Sequence, residues 1–446
     1  MYYRIKKGFN PNHPFAPSRS PIFYGWFILM ASTLGMLLSA PGQTIGVSVF
    51  TDYLIDALQL SRFHVSLAYT MGTIMSALII NRAGRLMDRY GARLVAVVTV
   101  FCLGLILLYM SQIDHLTSWF AFLGDAISSM LFLIFGFLFM RFLGQGVLTM
   151  ASKIMLMNWF DEKRGFVNSL MGTFFSPLFS LSPLFFAWLI DHFGWQNAWL
   201  YMGVVLSGVM TFVLWALYRD EPEACGLLPD GKPHSESHES RLNQEKSWTI
   251  DEAKQTWTFW MFNLGLAMFA LYITAVTFHV VSIFEVAGWD REKAISIFLP
   301  TSVLAVILNL IGGILSDKPY FRKNLKWFSL FFHIGLLTSA TGILTLTNGP
   351  GYWLIIIGNS MASGMFALLS TITWPRYFGR KFLGGITGYN VSWMVFFSAI
   401  GPSLFGWSYD VTGNYFWATI VCLILIIALL AGNLKADKPI YPINEK

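Results

Sequence analysis

The sequence predicts an all-α membrane protein of twelve transmembrane helices, arranged as two pseudosymmetric six-helix bundles with both termini in the cytoplasm. Three observations predict it. The 446 residues are 55% hydrophobic and 12% charged, against roughly 25% charged residues in a soluble domain. The apolar residues come in runs of about 20, the length a helix needs to cross the hydrocarbon core. Two short residue patterns recur at matched places in the two halves of the chain.

Runs bounded by charge, Gly and Pro place the spans at roughly 21–49, 61–83, 91–112, 127–156, 165–190, 197–218, 257–284, 293–316, 325–347, 351–374, 383–408 and 415–433. Twelve spans put both termini on one side, and the basic residues choose the side. All but five of the 30 Lys and Arg residues fall in the tails, in the loops after even-numbered spans, or at the span ends bordering those loops. Arg62, Arg291 and Lys293 fall in or at the edge of the opposite loops, and Arg141 and Lys153 fall inside the fourth span. The formal charge of +6 therefore reflects orientation, and no nucleic-acid partner is expected. Arg4, Lys6, Lys7 and Arg19 precede the first run, which no small-residue cleavage site closes, so that run is expected to stay as a helix.

The chain divides into a cytoplasmic tail (1–20), a first bundle (21–218), a linker loop (219–256), a second bundle (257–433) and a C-terminal tail (434–446). The linker contains PDGKPHSESHESRLNQEKS, the longest hydrophilic stretch. Cys102, Cys225 and Cys422 are scattered and support neither a disulfide framework nor a metal cluster. A phosphate-cradling glycine loop, an H-E-x-x-H pair and a nucleophile elbow are all missing from the sequence. Neither an enzyme nor an ATP-driven pump is supported, and no cofactor is expected.

The first repeated pattern is G-x-L-x-D, at Gly84 to Asp88 after the second span and at Gly313 to Asp317 after the eighth. The second is Pro183, Asp191 and Gly194 in the fifth span, matched by Pro402, Asp410 and Gly413 in the eleventh. In the first pattern the glycine lets a helix end lie close to a neighbour, and the aspartate can accept hydrogen bonds from a nearby helix N-terminus. Arg85, Arg89 and Arg93 are expected on the cytoplasmic face. Gly84, Asp88, Arg89, Gly91 and Arg93, with Gly313 and Asp317, are thus candidate residues of a conformational latch. Paired six-helix halves are also the build of secondary transporters, whose halves rock about a midplane site.

GRLMDRYGAR, from Gly84 to Arg93, resembles the signature loop between helices 2 and 3 of the major facilitator superfamily. RFLGQGVLTMAS (Arg141 to Ser152), NWFDEKRG (Asn158 to Gly165), RDEPEACGLLPDG (Arg219 to Gly231) and WPRYFGRKFLGGITG (Trp374 to Gly388) resemble its oxalate/formate antiporter and monocarboxylate porter branch. The resemblance implies a gradient-driven porter that works without ATP, a small organic anion as substrate, and a multi-pass position in a bacterial inner membrane. By analogy it also implies a monomer. Carriers of that branch hold basic residues in helices of the C-terminal half, whereas the eighth and eleventh spans here contain no Lys or Arg, which disfavours oxalate.

Arg141 is the sharpest site candidate, since a charge inside a span persists where it faces a cavity or a partner. Its forked guanidinium suits a carboxylate. The alternative role, common to the superfamily, is a hydrogen bond to the first helix. Gln145 and Thr149 follow one and two turns on, forming a polar stripe. Lys153 continues it toward the cytoplasmic end, where snorkelling is its simpler role.

His279, inside the seventh span, is a candidate substrate ligand and proton carrier, or else a satisfied core histidine. The resemblance makes the first, fourth, seventh and tenth helices line the cavity. It thereby adds Gln43, Thr44, Thr274, Asn359 and Ser363, with Asn390 and Trp393 from the eleventh. His333 is expected to have no role, in a helix that this fold packs peripherally.

The expectation is thus a secondary transporter for a small organic anion, a monocarboxylate for preference, with proton coupling through His279. Movement of a larger amphipathic solute, such as a siderophore or a drug, is the alternative. A third reading is a membrane sensor that keeps the fold without transport.

Overall fold

Pro41 and Gly42 decide the course of the first span. Proline contributes no N–H to a helix and its ring crowds the preceding turn. The chain accordingly forms a helix over Gly25–Leu38, a single 3-10 turn over Ala40–Gly42, then short helices over Thr44–Ser48 and Thr51–Leu58. The unbroken span expected over 21–49 is therefore discontinuous. Within a bilayer the carbonyls freed at such a break must find partners in the protein, and the fourth span supplies one, as described below.

The computed structural model describes residues 9–119, 125–232 and 247–440. Arg4, Lys6 and Lys7, residues 233–246 of the hydrophilic linker and residues 441–446 lie outside the described residues. Among the described residues all regular structure is helical. Ten helices among those residues are long and apolar enough to cross a bilayer: Phe63–Tyr90, Ala92–Met110, Ile127–Trp159, Arg164–Phe193, Trp195–Leu217, Trp257–Val286, Arg291–Ser316, Lys326–Leu344, Pro350–Phe378 and Phe416–Asn433. The helix Leu383–Thr412 occupies the place expected of the eleventh span, its apolar run diluted by Gly, Ser and Pro.

The second span does not stop at residue 83. It continues to Tyr90, so Gly84, Asp88 and Arg89 stand in its last turns and not in a loop after it. Arg85 and Arg89 are exposed there, and solvated charges let a helix run on past the apolar region. Gly313 likewise lies inside a helix, Phe298–Ser316, which Asp317 follows.

The Pro/Asp/Gly repeat has a conformational basis. Pro183 and Pro402 each sit inside a 30-residue helix. Gly194 (φ +80°) and Gly413 (φ +69°) then take the left-handed backbone that follows each helix.

The chain forms two compact units. The first comprises the described residues within 1–161, 174–240 and 387–391, and the second those within 162–173, 241–386 and 392–446. In the second unit Ser169 Oγ donates to the Asn309 carbonyl at 2.7 Å, and Asn168 Nδ2 donates to the Ala367 carbonyl at 3.0 Å. These bonds explain why the first turns of Arg164–Phe193 group with residues far along the sequence. The most buried spans are Pro350–Phe378 and Trp257–Val286, with 72% and 61% of their apolar windows inside the protein, against 17% for Arg291–Ser316. Exposed Leu78, Phe212 and Leu299 mark faces suited to lipid.

Candidate functional site

The fourth span changes its winding where its charge sits. It is α-helical over Asp125–Met140, a π-helix over Arg141–Leu148, and α-helical again over Thr149–Trp159. Such wide turns are rare and often accompany functional positions. Gly144, within the π stretch, lies against the break in the first span, and a Cβ there would come within 2.8 Å of Gly42 Cα. Only glycine lets the two backbones approach this closely.

Arg141 is 3% exposed. Its Nη1 donates to the Thr44 hydroxyl at 3.2 Å and, at 3.4 Å, to the Gly42 carbonyl that the broken helix leaves free. Its guanidinium carbon stands 5.1 Å from the centre of the Tyr69 ring, and the Tyr69 hydroxyl is 2.8 Å from that of Thr44. No described residue accepts a hydrogen bond from Nε or Nη2. Those two N–H groups form the edge that binds a carboxylate through parallel hydrogen bonds. The structural and ligand-binding roles weighed from the sequence therefore use different edges of one guanidinium.

Gln145, one turn on, carries a buried Oε1 with no hydrogen-bond partner among the described residues. Gln43 Nε2 donates to Ser39 Oγ at 3.1 Å, and Thr149 bonds back to the Gly146 carbonyl at 3.2 Å. Lys153 is half-buried and makes no hydrogen bond or ion pair with any described residue.

The other candidates fall into separate groupings. His279, in the second unit, lies seven residues before the end of the helix Trp257–Val286. Its Nε2 is 2.9 Å from the Pro402 carbonyl, and since a carbonyl only accepts, Nε2 carries the proton. Nδ1 faces the Tyr415 hydroxyl at 3.4 Å, and that hydroxyl donates to Ser282 at 2.8 Å. Asn359 Oδ1 accepts from Ser339, which is also 2.8 Å from the Tyr272 hydroxyl, a chain that ties three helices.

Thr274 and Ser363 are half-buried, and Trp393 packs edge-on against Trp260. Asn390 is fully buried and groups with the first unit. His333 is fully buried, its Nδ1 2.7 Å from the Ser329 carbonyl. Its helix has 56% of its apolar window inside the protein, more than a peripheral placement implies.

Among the latch candidates, Asp317 accepts from the backbone N–H groups of Gly165 at 2.8 Å and Phe166 at 2.9 Å, and pairs with Arg376. Burial raises its carboxyl above the usual range, while Arg376 and the two N–H groups pull it down. Gly313 packs against Ser169, and Gly84 is buried, with Gly388 alongside it in the same unit. Asp88 is half-buried and Arg89 lies over the neighbouring Tyr90 ring.

Arg93, expected at the cytoplasmic surface, is instead 1% exposed. It donates to the carbonyls of Asn10 (3.1 Å), His13 (2.9 Å) and Trp215 (2.6 Å). Arg219 donates to the carbonyls of Pro11 (2.5 Å) and Phe15 (3.1 Å). Between them Asp220 accepts from the Arg93 N–H at 2.7 Å, and Gly91, at φ +90°, turns the chain so closely that a Cβ would meet that carboxylate. Burial lowers the Arg219 guanidinium and raises the Asp220 carboxyl, with Arg93 opposing the latter. Two buried arginines thus strap residues 10–15 onto the end of the first unit.

Sequence reasoning missed Tyr69 and Arg219. Tyr69 lies two spans from Arg141 with no local motif to mark it. Arg219 reads as one more linker charge, although its place directly after an apolar helix was the available signal.

A broken first helix, a buried arginine at a wide turn in the fourth and ten apolar spans define a polytopic helical membrane protein with a polar centre in its first unit. The chain belongs to the major facilitator superfamily, whose description matches residues 32–373. It is an MFS transporter, in a family of transporters and not of enzymes. It is 25% identical over 310 residues to the membrane sensor protein UhpC of Salmonella typhimurium, covering 64% of this chain and 67% of the relative. It is 23% identical over 353 residues to multidrug resistance protein 3 of Bacillus subtilis, covering 70% and 65%. The chain spans about two thirds of the length of these curated relatives.

Among solved structures it is similar to the proton:xylose symporter XylE, with a TM-score of 0.62, 14% identity and coverage of 92% and 95% of the two chains. A bacterial homologue of the iron transporter ferroportin gives a TM-score of 0.66 at 14% identity, with coverage of 92% and 98%. At these identities the likeness is one of fold.

Proposed function

We propose that the protein is a secondary transporter with twelve spans and two cytoplasmic termini, moving a small monocarboxylate across the bacterial cytoplasmic membrane by alternating access. The observation that carries this reading is Arg141, buried inside a span with Nη1 engaged and its Nε and Nη2 edge unengaged. One cation offering one bidentate edge suits one carboxylate. Lys153 lies twelve residues further along the same helix, roughly 15 Å or more away at the rise of a helix, too far to grip the same small dianion. Gln145 and Gln43 complete the polar lining in the first unit, where Asn390 is a secondary contributor, and Asn359 is proposed as a substrate contact of the second unit.

His279 is proposed as the coupling group, since Nε2–H is held by Pro402 and Nδ1 can take a second proton. The latch residues around Asp88 and Asp317 are proposed to stabilise one conformation of the transport cycle.

Uptake into proteoliposomes of labelled pyruvate, lactate, formate, oxalate and a siderophore, with and without an imposed pH gradient, tests the reading. Saturable monocarboxylate uptake raised by inward-directed protons is expected. Siderophore uptake without any carboxylate signal would replace it with the amphipathic-solute reading, which the likeness to a multidrug resistance protein also supports. Binding without transport would favour a sensor, as the name of the UhpC relative describes.

A further inference from the structure

The Arg141 edge and the Gln145 amide stand one turn apart on the same helix. One presents a buried Nε donor without an acceptor and the other a buried acceptor without a donor, yet they do not bond each other. An unmatched buried acceptor costs free energy that a ligand donor would recover. A carboxylate alone satisfies Arg141 and offers nothing to Gln145 Oε1.

We infer that Gln145 is a specificity-determining residue that reads a hydrogen-bond donor on the carbon beside the substrate carboxylate, so that the preferred substrate is a 2-hydroxy monocarboxylate. This rests on the anion reading of Arg141. Such an acid supplies what each group lacks: its carboxylate takes Nε and Nη2 of Arg141, and its hydroxyl, one carbon away, donates to Oε1 of Gln145. An ammonium in place of the hydroxyl fits poorly, because residues 25–51, 63–87 and 127–159 contain no Asp or Glu to balance it beside Arg141. A keto oxygen fits worse than a hydroxyl, since it would turn lone pairs toward the lone pairs of Oε1. Sites that hydrogen-bond a substrate hydroxyl discriminate strongly against analogues lacking it, because the protein group is then left unpaired.

Three acids of one carbon skeleton test the inference: 2-hydroxypropanoate, 2-oxopropanoate and propanoate, measured as kcat/KM for uptake by the full chain in proteoliposomes. The wild type is expected to favour the hydroxy acid over propanoate by about tenfold, the worth of one good hydrogen bond. In Gln145→Met, checked for folding by gel filtration and thermal melting, the ratio is expected to fall to about one. Equal uptake of all three acids by the wild type would overturn the inference and leave the anion reading standing. A preference that persists in Gln145→Met would overturn the role of this residue. Uptake of none of the three would overturn the anion reading, and this inference with it.

Discussion

The ring of Tyr69 lies 5.1 Å from the Arg141 guanidinium, and its hydroxyl meets the same Thr44 hydroxyl that Arg141 reaches. Tyr69 therefore orients the arginine twice, through its π face and through a shared hydrogen-bond partner. A cation over an aromatic face gains about 0.5–2 kcal/mol, depending on desolvation. Tyr69→Phe keeps the face and loses the hydroxyl, so about a threefold rise in KM is expected. Tyr69→Leu loses both, and about tenfold or more is expected. Uptake kinetics of the two variants side by side check this, and equal KM values would remove the ring from the argument.

Arg141→Lys keeps the charge but has one nitrogen where the site uses two edges. Lysine cannot serve the Gly42 carbonyl and a carboxylate together. Loss of about a hundredfold in kcat/KM is expected, with a lower melting temperature as the break in the first span loses its partner. Normal transport by the lysine variant would show that the second edge is not used.

Coupling can be separated from support at His279. Gln at this position can donate to the Pro402 carbonyl as Nε2 does, but it does not titrate. His279→Gln is expected to keep solute exchange at equilibrium and lose accumulation driven by a pH gradient. Accumulation at the wild-type level in this variant would assign the proton to another group.

The strap predicts a stability effect remote from the site. Arg219→Met removes the guanidinium donor from the carbonyl of exposed Phe15 and leaves the half-buried Pro11 carbonyl only the long contact from the Cys225 thiol at 3.9 Å, at a cost of about 1 kcal/mol for each net hydrogen bond lost. A fall of several degrees in melting temperature and faster proteolysis between residues 9 and 24 are expected. Unchanged cleavage would show that other contacts hold the segment.

Cys225 reports the same region. Burial pushes its thiol up to about 11. Only the thiolate reacts with alkylating reagents, so at pH 8 its alkylation is expected to be about a hundredfold slower than that of an ordinary thiol. The measurement uses a background of Cys102→Ala and Cys422→Ala. The folded state also holds this proton longer than the unfolded chain does. Its contribution to stability is thus complete below pH 9 and declines as the pH rises toward 11. Alkylation at the ordinary rate would mean that the segment opens readily.

The placing of the helices was largely legible because a bilayer imposes one length and one polarity on every span. Gly84 to Asp88 shows the limit of that logic: the apolar signal ended before the helix did, since a helix can continue into water on exposed arginines. Arg141 was visible because charge is costly at that depth, and its helix-1 contact could be named in advance. Tyr69 was not visible, because an aromatic residue inside an apolar helix carries no local mark of its partner. The break at Pro41 and Gly42 was lost inside a run that still read as continuously apolar. Arg93 illustrates the opposite error, a charge assigned to water that the fold encloses in backbone carbonyls.

The π stretch over Arg141–Leu148 gives the fourth span a length that an even α-helix of the same rise would not need. A π turn takes about one residue more than an α turn to go once around the axis, so the stretch absorbs an extra residue. Forcing even winding at about 3.6 residues per turn with that residue kept would swing one flank against the other by about 100°, one residue's worth of rotation. The wide turn acts as a phase setting that fixes which sides of the bundle Arg141 and Lys153 face.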